Sequence, residues 1–146
     1  MHERHTFTIG EEASTTRIFT QEDVEKFAEL SGDHNPIHLD DSYARSSFFK
    51  GRIVHGMLVA SLISSLLGNT LPGPGAIYLR QELQFTAPVR PGDEVTATVK
   101  VLDWIPENGK ITCSTQVTNT EKQVVMRGEA RLILVSYLTK KQSPTA

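Results

Sequence analysis

A carboxylate and an imidazole lie close together in one short segment of this sequence. Asp33 and His38 are five residues apart, on either side of an Asn-Pro pair. Aspartate is ionised at neutral pH, and histidine is the side chain whose unperturbed pKa lies nearest to it. Because Pro36 keeps Asn35 out of the helical region, residues 33–38 are predicted to form an extended turn that holds both side chains toward one point. Such a pair could orient a water molecule or move a proton, which is acid–base chemistry.

Helices are predicted on both sides of this turn. Thr20 and Asp23 have the spacing of a capping box, and Gly32 is a typical residue at which the helix that they begin would end. A short helix is predicted over residues 40–45. Residues 54–67 read VHGMLVASLISSLL and are apolar nearly all round, which is typical of a helix that is buried on every side. This central helix would form the wall against which the turn is placed.

Beyond residue 76 the apolar residues alternate with polar ones, which predicts strands. Four runs show this pattern, and the fourth covers residues 123–138. In each of the other three runs alternate residues share one face, which is taken as the inward one. These residues are Ile77, Leu79, Gln81, Leu83 and Phe85 in the first run, Val95, Ala97, Val99 and Val101 in the second, and Ile111, Cys113, Thr115 and Val117 in the third. The links are mostly too short for a crossover helix, so the sheet should be largely antiparallel. The prediction is an α+β fold in which a sheet of five or six strands wraps around one long central helix. A single domain over residues 1–146, with a frayed tail at about 139–146, is expected.

Composition excludes several classes of protein. The chain has 146 residues and a net charge of −2, which gives no general attraction to nucleic acid or to an anionic membrane. No apolar run has the length of a transmembrane span, and the N-terminus lacks the apolar core of a secretory signal. Cys113, the single cysteine, is expected to be a buried packing thiol. These features predict a cytoplasmic protein, and the histidine spacing predicts no metal site.

The residues around the turn resemble the signature of a known family, the MaoC-like R-specific enoyl-CoA hydratases. The matching residues are Phe27, Leu30, Ser31, Gly32, Asp33, Asn35, Pro36, Ile37, His38 and Ala44. The resemblance continues through residues 53–68 and 71–101 and becomes looser in the later strands. It implies a hot-dog fold and a hydro-lyase that adds water to trans-2-enoyl-CoA, giving (R)-3-hydroxyacyl-CoA. It further implies an acyl-CoA substrate that carries its own coenzyme A, no other cofactor, and a homodimer or larger oligomer with the site at the subunit interface.

The resemblance also implies roles for individual residues. Asp33 and His38 would be the catalytic pair, and the backbone N–H of Gly56 would polarise the thioester carbonyl as an oxyanion hole. Ser64 would support the aspartate from the central helix.

Further residues are predicted around these groups. Asn35 and His55 are expected to have supporting or structural roles. Phe48, Phe49 and Leu67 are candidate walls of a substrate tunnel, and Arg80 is a candidate contact for the phosphates of coenzyme A.

Three alternative functions stay open from the sequence. A dehydratase that acts on acyl-carrier-protein thioesters uses the same chemistry in reverse. A hot-dog thioesterase usually has an acidic residue on or near the central helix, and residues 55–67 contain neither Asp nor Glu. A non-catalytic acyl-thioester-binding protein would be expected to have lost the Asp33 and His38 pair.

Overall fold

The computed structural model describes residues 6–138. Its helices and strands are β1 (Glu12–Ile18), α1 (Gln21–Ser31), α2 (Pro36–Leu39), α3 (Asp41–Arg45), α4 (Gly56–Asn69), β2 (Ala76–Phe85), β3 (Glu94–Ile105), β4 (Lys110–Asn119) and β5 (Val124–Leu134), followed by a 3₁₀ turn (Val135–Tyr137). The predicted frayed tail lies outside the described residues. None of the helices in this part of the chain combines the length and apolar character needed to cross a bilayer.

The five strands form one antiparallel sheet in the order β1-β3-β4-β5-β2. The inward positions predicted for β3 and β4 are all buried, because alternate side chains of a strand point to the same face. Helix α4 contacts β1, β2, β3 and β4. The α+β hot-dog fold, a sheet wrapped around one long helix, is therefore confirmed.

Helix α4 is buried on one face only. Its inner residues are Val59, Ala60, Leu62, Ile63, Leu66 and Leu67. On the other face Met57 is 61% exposed, and Ser61 and Ser64 are exposed as well. The prediction that this helix is buried on every side is therefore wrong for the single chain, because the sheet covers only the face that it wraps.

The caps of α1 agree with the sequence prediction. The Thr20 side chain accepts a hydrogen bond from the Asp23 amide, the Asp23 carboxylate accepts one from the Thr20 amide, and Gly32 ends the helix in the left-handed conformation. The short helix α3 begins after Asp40, as expected, and the Asp40 carboxylate accepts a hydrogen bond from the Tyr43 amide.

The turn that carries His38 differs from the prediction. Residues 36–39 form one helical turn, α2, rather than extended chain. Proline suits the first position of a helix, since its ring presets the backbone and its missing N–H would have no partner there. The Asn35 side chain caps this turn by accepting a hydrogen bond from the Ile37 amide at 3.2 Å. His38 therefore projects from a helical turn whose backbone is fixed.

Cys113 is fully buried in β4. Burial raises the pKa of its thiol to about 12, so the thiol stays protonated at neutral pH. The prediction of a packing thiol is confirmed.

Candidate active site

Asp33 lies at the start of the loop between α1 and α2. Its amide donates to the Ser31 hydroxyl at 3.1 Å, and its carboxylate oxygen Oδ1 accepts from the Asn35 amide at 3.2 Å. These bonds form a local turn of the kind that Asp and Asn commonly make. Asp33 is exposed in the single chain, so its carboxylate is accessible to a bound molecule.

His38 is held in one orientation by a backbone carbonyl. The side chain is only 8% exposed, and its Nδ1 lies 2.8 Å from the carbonyl oxygen of Ile53. Because a carbonyl only accepts, Nδ1 must carry the proton, which leaves Nε2 of the neutral ring with a free lone pair. The His38 carbonyl in turn accepts from the Gln21 side chain at 3.0 Å, which ties α2 to the start of α1.

His55 lies beneath both groups and is 2% exposed. Its Nε2 donates to the backbone carbonyl of Asp33 at 3.1 Å. Its ring stacks on His38 with 3.9 Å between centroids and 28° between planes, and the Phe27 ring meets it edge-on at 4.8 Å. Burial lowers the pKa of His55, as does the neighbouring His38, while the hydrogen bond to Asp33 acts in the opposite direction. His55 is therefore neutral in the folded protein at neutral pH.

Gly56 is the first residue of α4, directly after His55. The His55 carbonyl accepts from the amides of Leu58 and Val59, both at 3.1 Å. The amide of Gly56 meets no backbone acceptor within residues 6–138, as expected for the first turn of a helix. Such amides carry partial positive charge and attract an oxygen that is gaining negative charge.

All of these groups line one cleft of about 610 Å³. Its walls are mostly apolar, and the lining residues are Asp33, His38, Phe48, Phe49, Ile53, Val54, His55, Gly56, Met57, Val59, Phe85, Thr86, Ala87, Pro88, Val89, Val125 and Met126. Asp33, His38 and the N-terminus of α4 thus share a site with mostly apolar walls. Phe48 and Phe49 lie where a tunnel wall was predicted.

Three predicted site residues lie elsewhere in the single chain. Ser64 is on the exposed face of α4, in a separate pocket that Tyr78 also lines. Leu67 is in the core, because it is on the inner face of the helix. Arg80 is exposed on β2, beside Glu82. None of the three lines the cleft, and the predicted contacts of Leu67 and Arg80 with substrate have no support from this geometry.

Other residues at the site were not found from the sequence. Ile53 fixes His38 through its carbonyl, and Gln21 fixes α2 through its side chain. Phe85 and Met126 line the cleft from β2 and β5. A backbone acceptor leaves no signal in residue type, and an alternating strand pattern does not say which residue lies at the end of a cleft.

Asp33, His38 and His55 bring one potential ligand atom each to within 4.8 Å of one another. Two of their ring nitrogens already donate to carbonyls. Each neutral ring therefore has one nitrogen left as an acceptor.

The chain is similar in sequence and in structure to known proteins. The MaoC like domain model matches residues 5–125. An (R)-specific enoyl-CoA hydratase of Rhodospirillum rubrum is 49% identical over 125 residues, which is 86% of each chain. A mitochondrial 3-hydroxyacyl-[acyl-carrier-protein] dehydratase of Arabidopsis thaliana is 36% identical and covers 94% of this chain and 83% of its own. The solved structure of an (R)-hydratase from A. caviae involved in PHA biosynthesis superposes with a TM-score of 0.85 at 43% identity, covering 88% of this chain and 98% of that one.

Proposed function

The chain belongs to the MaoC-like domain family, and we propose that it is an R-specific enoyl-CoA hydratase. The reaction is the reversible addition of water to a trans-2-enoyl-CoA, which gives the (R)-3-hydroxyacyl-CoA, so the enzyme is a hydro-lyase. One observation carries the proposal: Asp33, His38 and Gly56, the first residue of α4, line the same mostly apolar cleft. We assign the whole of residues 1–146 to one MaoC-like domain.

The difficult step is the build-up of negative charge on the thioester oxygen as water attacks C3. In the proposed mechanism the Gly56 N–H donates to this oxygen. A fixed amide in an apolar cleft stabilises the developing charge without reorganising, and loss of one such donor typically costs about 2.7–4 kcal/mol.

Water is held between Asp33 and His38. As its oxygen forms a bond to C3, one proton passes to this pair and a proton is returned to C2, so the net change is the addition of H and OH across the double bond. His38 takes part through Nε2, because its Nδ1 is committed to Ile53. Since one short segment holds the water, it attacks C3 from one face of the substrate, in keeping with a single product enantiomer.

The substrate carries coenzyme A, and the chemistry needs no further cofactor or metal. We also propose a cytoplasmic homodimer, or a larger homo-oligomer, with the cleft at the subunit interface. Two features support it: the catalytic Asp33 and the outer face of α4 around Met57 are both exposed in the single chain. In such an assembly Ser64, on that same face, keeps its predicted supporting role.

The test is hydration of crotonyl-CoA. The reaction is monitored by the loss of the enoyl-thioester absorbance, and the product is identified by chiral analysis. Asp33→Asn and His38→Asn are each expected to lower kcat by about 100-fold or more. The second variant retains an amide that can donate to Ile53. His34→Gln is the control, because His34 is an exposed histidine of the same loop that does not line the cleft. Near-normal rates in either catalytic variant, or an S product, would contradict the proposal.

A carrier-protein dehydratase is the second candidate, supported by the similarity to the Arabidopsis thaliana enzyme. Turnover of one enoyl chain on coenzyme A and on acyl carrier protein decides between them, and a strong preference for the carrier would favour the dehydratase. A thioesterase is disfavoured because α4 contains no Asp or Glu. Release of free coenzyme A without loss of the enoyl absorbance would favour it.

A further inference from the structure

We infer that His55 is a positioning residue that keeps Asp33, His38 and the Gly56 amide in the relative positions that hydration requires. The role deepens the proposed function and rests on it. His55 takes no part in the proton transfers described above, although it is a buried histidine that contacts the backbone carbonyl of Asp33 and the ring of His38. Three separate contacts support a positioning role.

The first contact fixes the backbone of Asp33. The hydrogen bonds of Asp33 to Ser31 and Asn35 are local, and both span two residues of sequence. The bond from Nε2 of His55 spans 22 residues and, within residues 6–138, is the one hydrogen bond that ties Asp33 to a distant part of the chain. Without it Asp33 keeps its local turn but loses its bond to the residue that precedes α4, whereas Ile37 and His38 remain bonded to Ile53.

The second contact fixes the plane of the His38 ring. The hydrogen bond from Nδ1 to Ile53 anchors one edge of the ring but still allows rotation about that bond. Stacking on His55 at 3.9 Å prevents this rotation. The two contacts together set the direction of the Nε2 lone pair. Phe27 packs edge-on against His55 and keeps the His55 ring in place.

The third contact is covalent. His55 immediately precedes Gly56, and the His55 carbonyl accepts the first hydrogen bonds of α4. A single residue therefore links the acid–base pair to the proposed oxyanion donor. His55 itself is not placed to act as an acid or a base, because its Nε2 donates to Asp33 and its Nδ1 is buried with no hydrogen-bond partner among residues 6–138. A reaction can become about 100-fold slower when its reacting groups are misplaced by about 1 Å. Loss of the link through His55 is expected to have an effect of up to this size.

The test replaces His55 with Phe, which keeps a planar ring for stacking and removes the donor to Asp33. We expect kcat for crotonyl-CoA to fall about 10- to 100-fold while KM stays within about threefold, because the apolar walls of the cleft are unchanged. In an Asp33→Asn background the same substitution should cost less than about threefold, since phenylalanine keeps the stacking on His38 and removes only the bond to Asp33. His34→Phe, the same substitution at an exposed histidine of the loop, should leave kcat unchanged.

A second readout does not depend on activity. Hydrogen–deuterium exchange of the backbone amides of residues 33–38 should become faster in His55→Phe, while that of the sheet stays the same. If His55→Phe does not fold, His55→Leu, which also lacks the donor, is measured in the same way.

Unchanged exchange in the loop would overturn the inference whether or not the protein is a hydratase. Faster exchange with an unchanged kcat, or a raised KM alone, would overturn it as well. Faster exchange in a protein whose wild type does not hydrate crotonyl-CoA would support the structural link and count against the proposed function instead.

Discussion

Replacement of Gly56 by alanine tests whether the start of α4 must be free of a side chain. The Gly56 backbone is not in the left-handed region, so alanine can adopt its conformation without strain. The added Cβ, however, would lie 2.6 Å from Cε1 and 2.8 Å from Cδ1 of Phe85. Real Cβ contacts essentially never fall below 3.0 Å and ordinary contact begins at 3.4 Å, so the ring must move by about 0.4 Å or more, and by about 0.8 Å to reach ordinary contact. Phe85 lines the cleft, and its movement changes the wall beside the proposed oxyanion donor.

The expected effects on stability and on activity differ in size. Alanine gains up to about 1 kcal/mol in helix propensity over glycine, while overpacking typically costs about 1–3 kcal/mol. The free energy of unfolding should therefore fall by only about 0–2 kcal/mol. The added methyl group and the displaced ring are expected to shift the thioester carbonyl relative to the Gly56 N–H, and a misplacement of about 1 Å costs about 100-fold in rate. Gly56→Ala should thus be a folded protein whose kcat/KM for crotonyl-CoA is reduced by about two orders of magnitude.

The matched control is Gly68→Ala in the same helix. A Cβ at Gly68 would meet nothing within 4 Å, so this variant should be slightly more stable and fully active. The assay is enoyl-thioester absorbance together with urea unfolding. In the double variant Gly56→Ala/Phe85→Ala, recovery of at least tenfold in rate is expected, because the overlapping ring is gone. Activity of Gly56→Ala within threefold of the wild type, or a double variant no better than the single one, would refute the reasoning.

Three further predictions concern stability and reactivity. Burial lowers the pKa of His55 below its ordinary value of 6.5. Below pH 6.5 the unfolded chain therefore binds a proton at this histidine that the native protein does not bind. His55 thus makes the free energy of unfolding fall as the pH drops below 6.5, by at most about 1.4 kcal/mol per pH unit. Urea unfolding at a series of pH values should show this slope reduced in His55→Phe, and equal slopes would contradict the cause given. Cys113 is fully buried with a pKa of about 12, so a maleimide should label it only in urea, and rapid labelling of the native protein would disprove its burial. In Gly128→Ala the added Cβ would overlap the backbone carbonyl of Glu82 on the paired strand β2. We therefore expect the free energy of unfolding to fall by about 3 kcal/mol or more. Unfolding midpoints close to those of Gly68→Ala would contradict this and show that β2 can shift away.

Much of the fold could be predicted because its signals are local. The capping box of Thr20 and Asp23 and the left-handed Gly32 depend on residues a few positions apart. The alternation over Val95–Val101 and the inward positions of β4 likewise needed only the pleat of a strand. The turn of residues 33–38 was recognised, but its helical form was missed because Pro36 is compatible both with a turn and with the first position of a helix.

The sequence by itself determined which groups are available for the chemistry: Asp33 and His38 on one short segment, and a helix predicted over residues 54–67 with Gly56 near its start. Only the tertiary structure decided how they are used. The proton on His38 is fixed by Ile53, the Asp33 backbone by His55, and the space above Gly56 by Phe85. The same packing put Leu67 in the core and Ser64 on the open face of α4. The reason is physical: caps and strand alternation are set by neighbours in the chain, whereas these contacts join residues 15 to 29 positions apart and exist only once the sheet has wrapped around the helix.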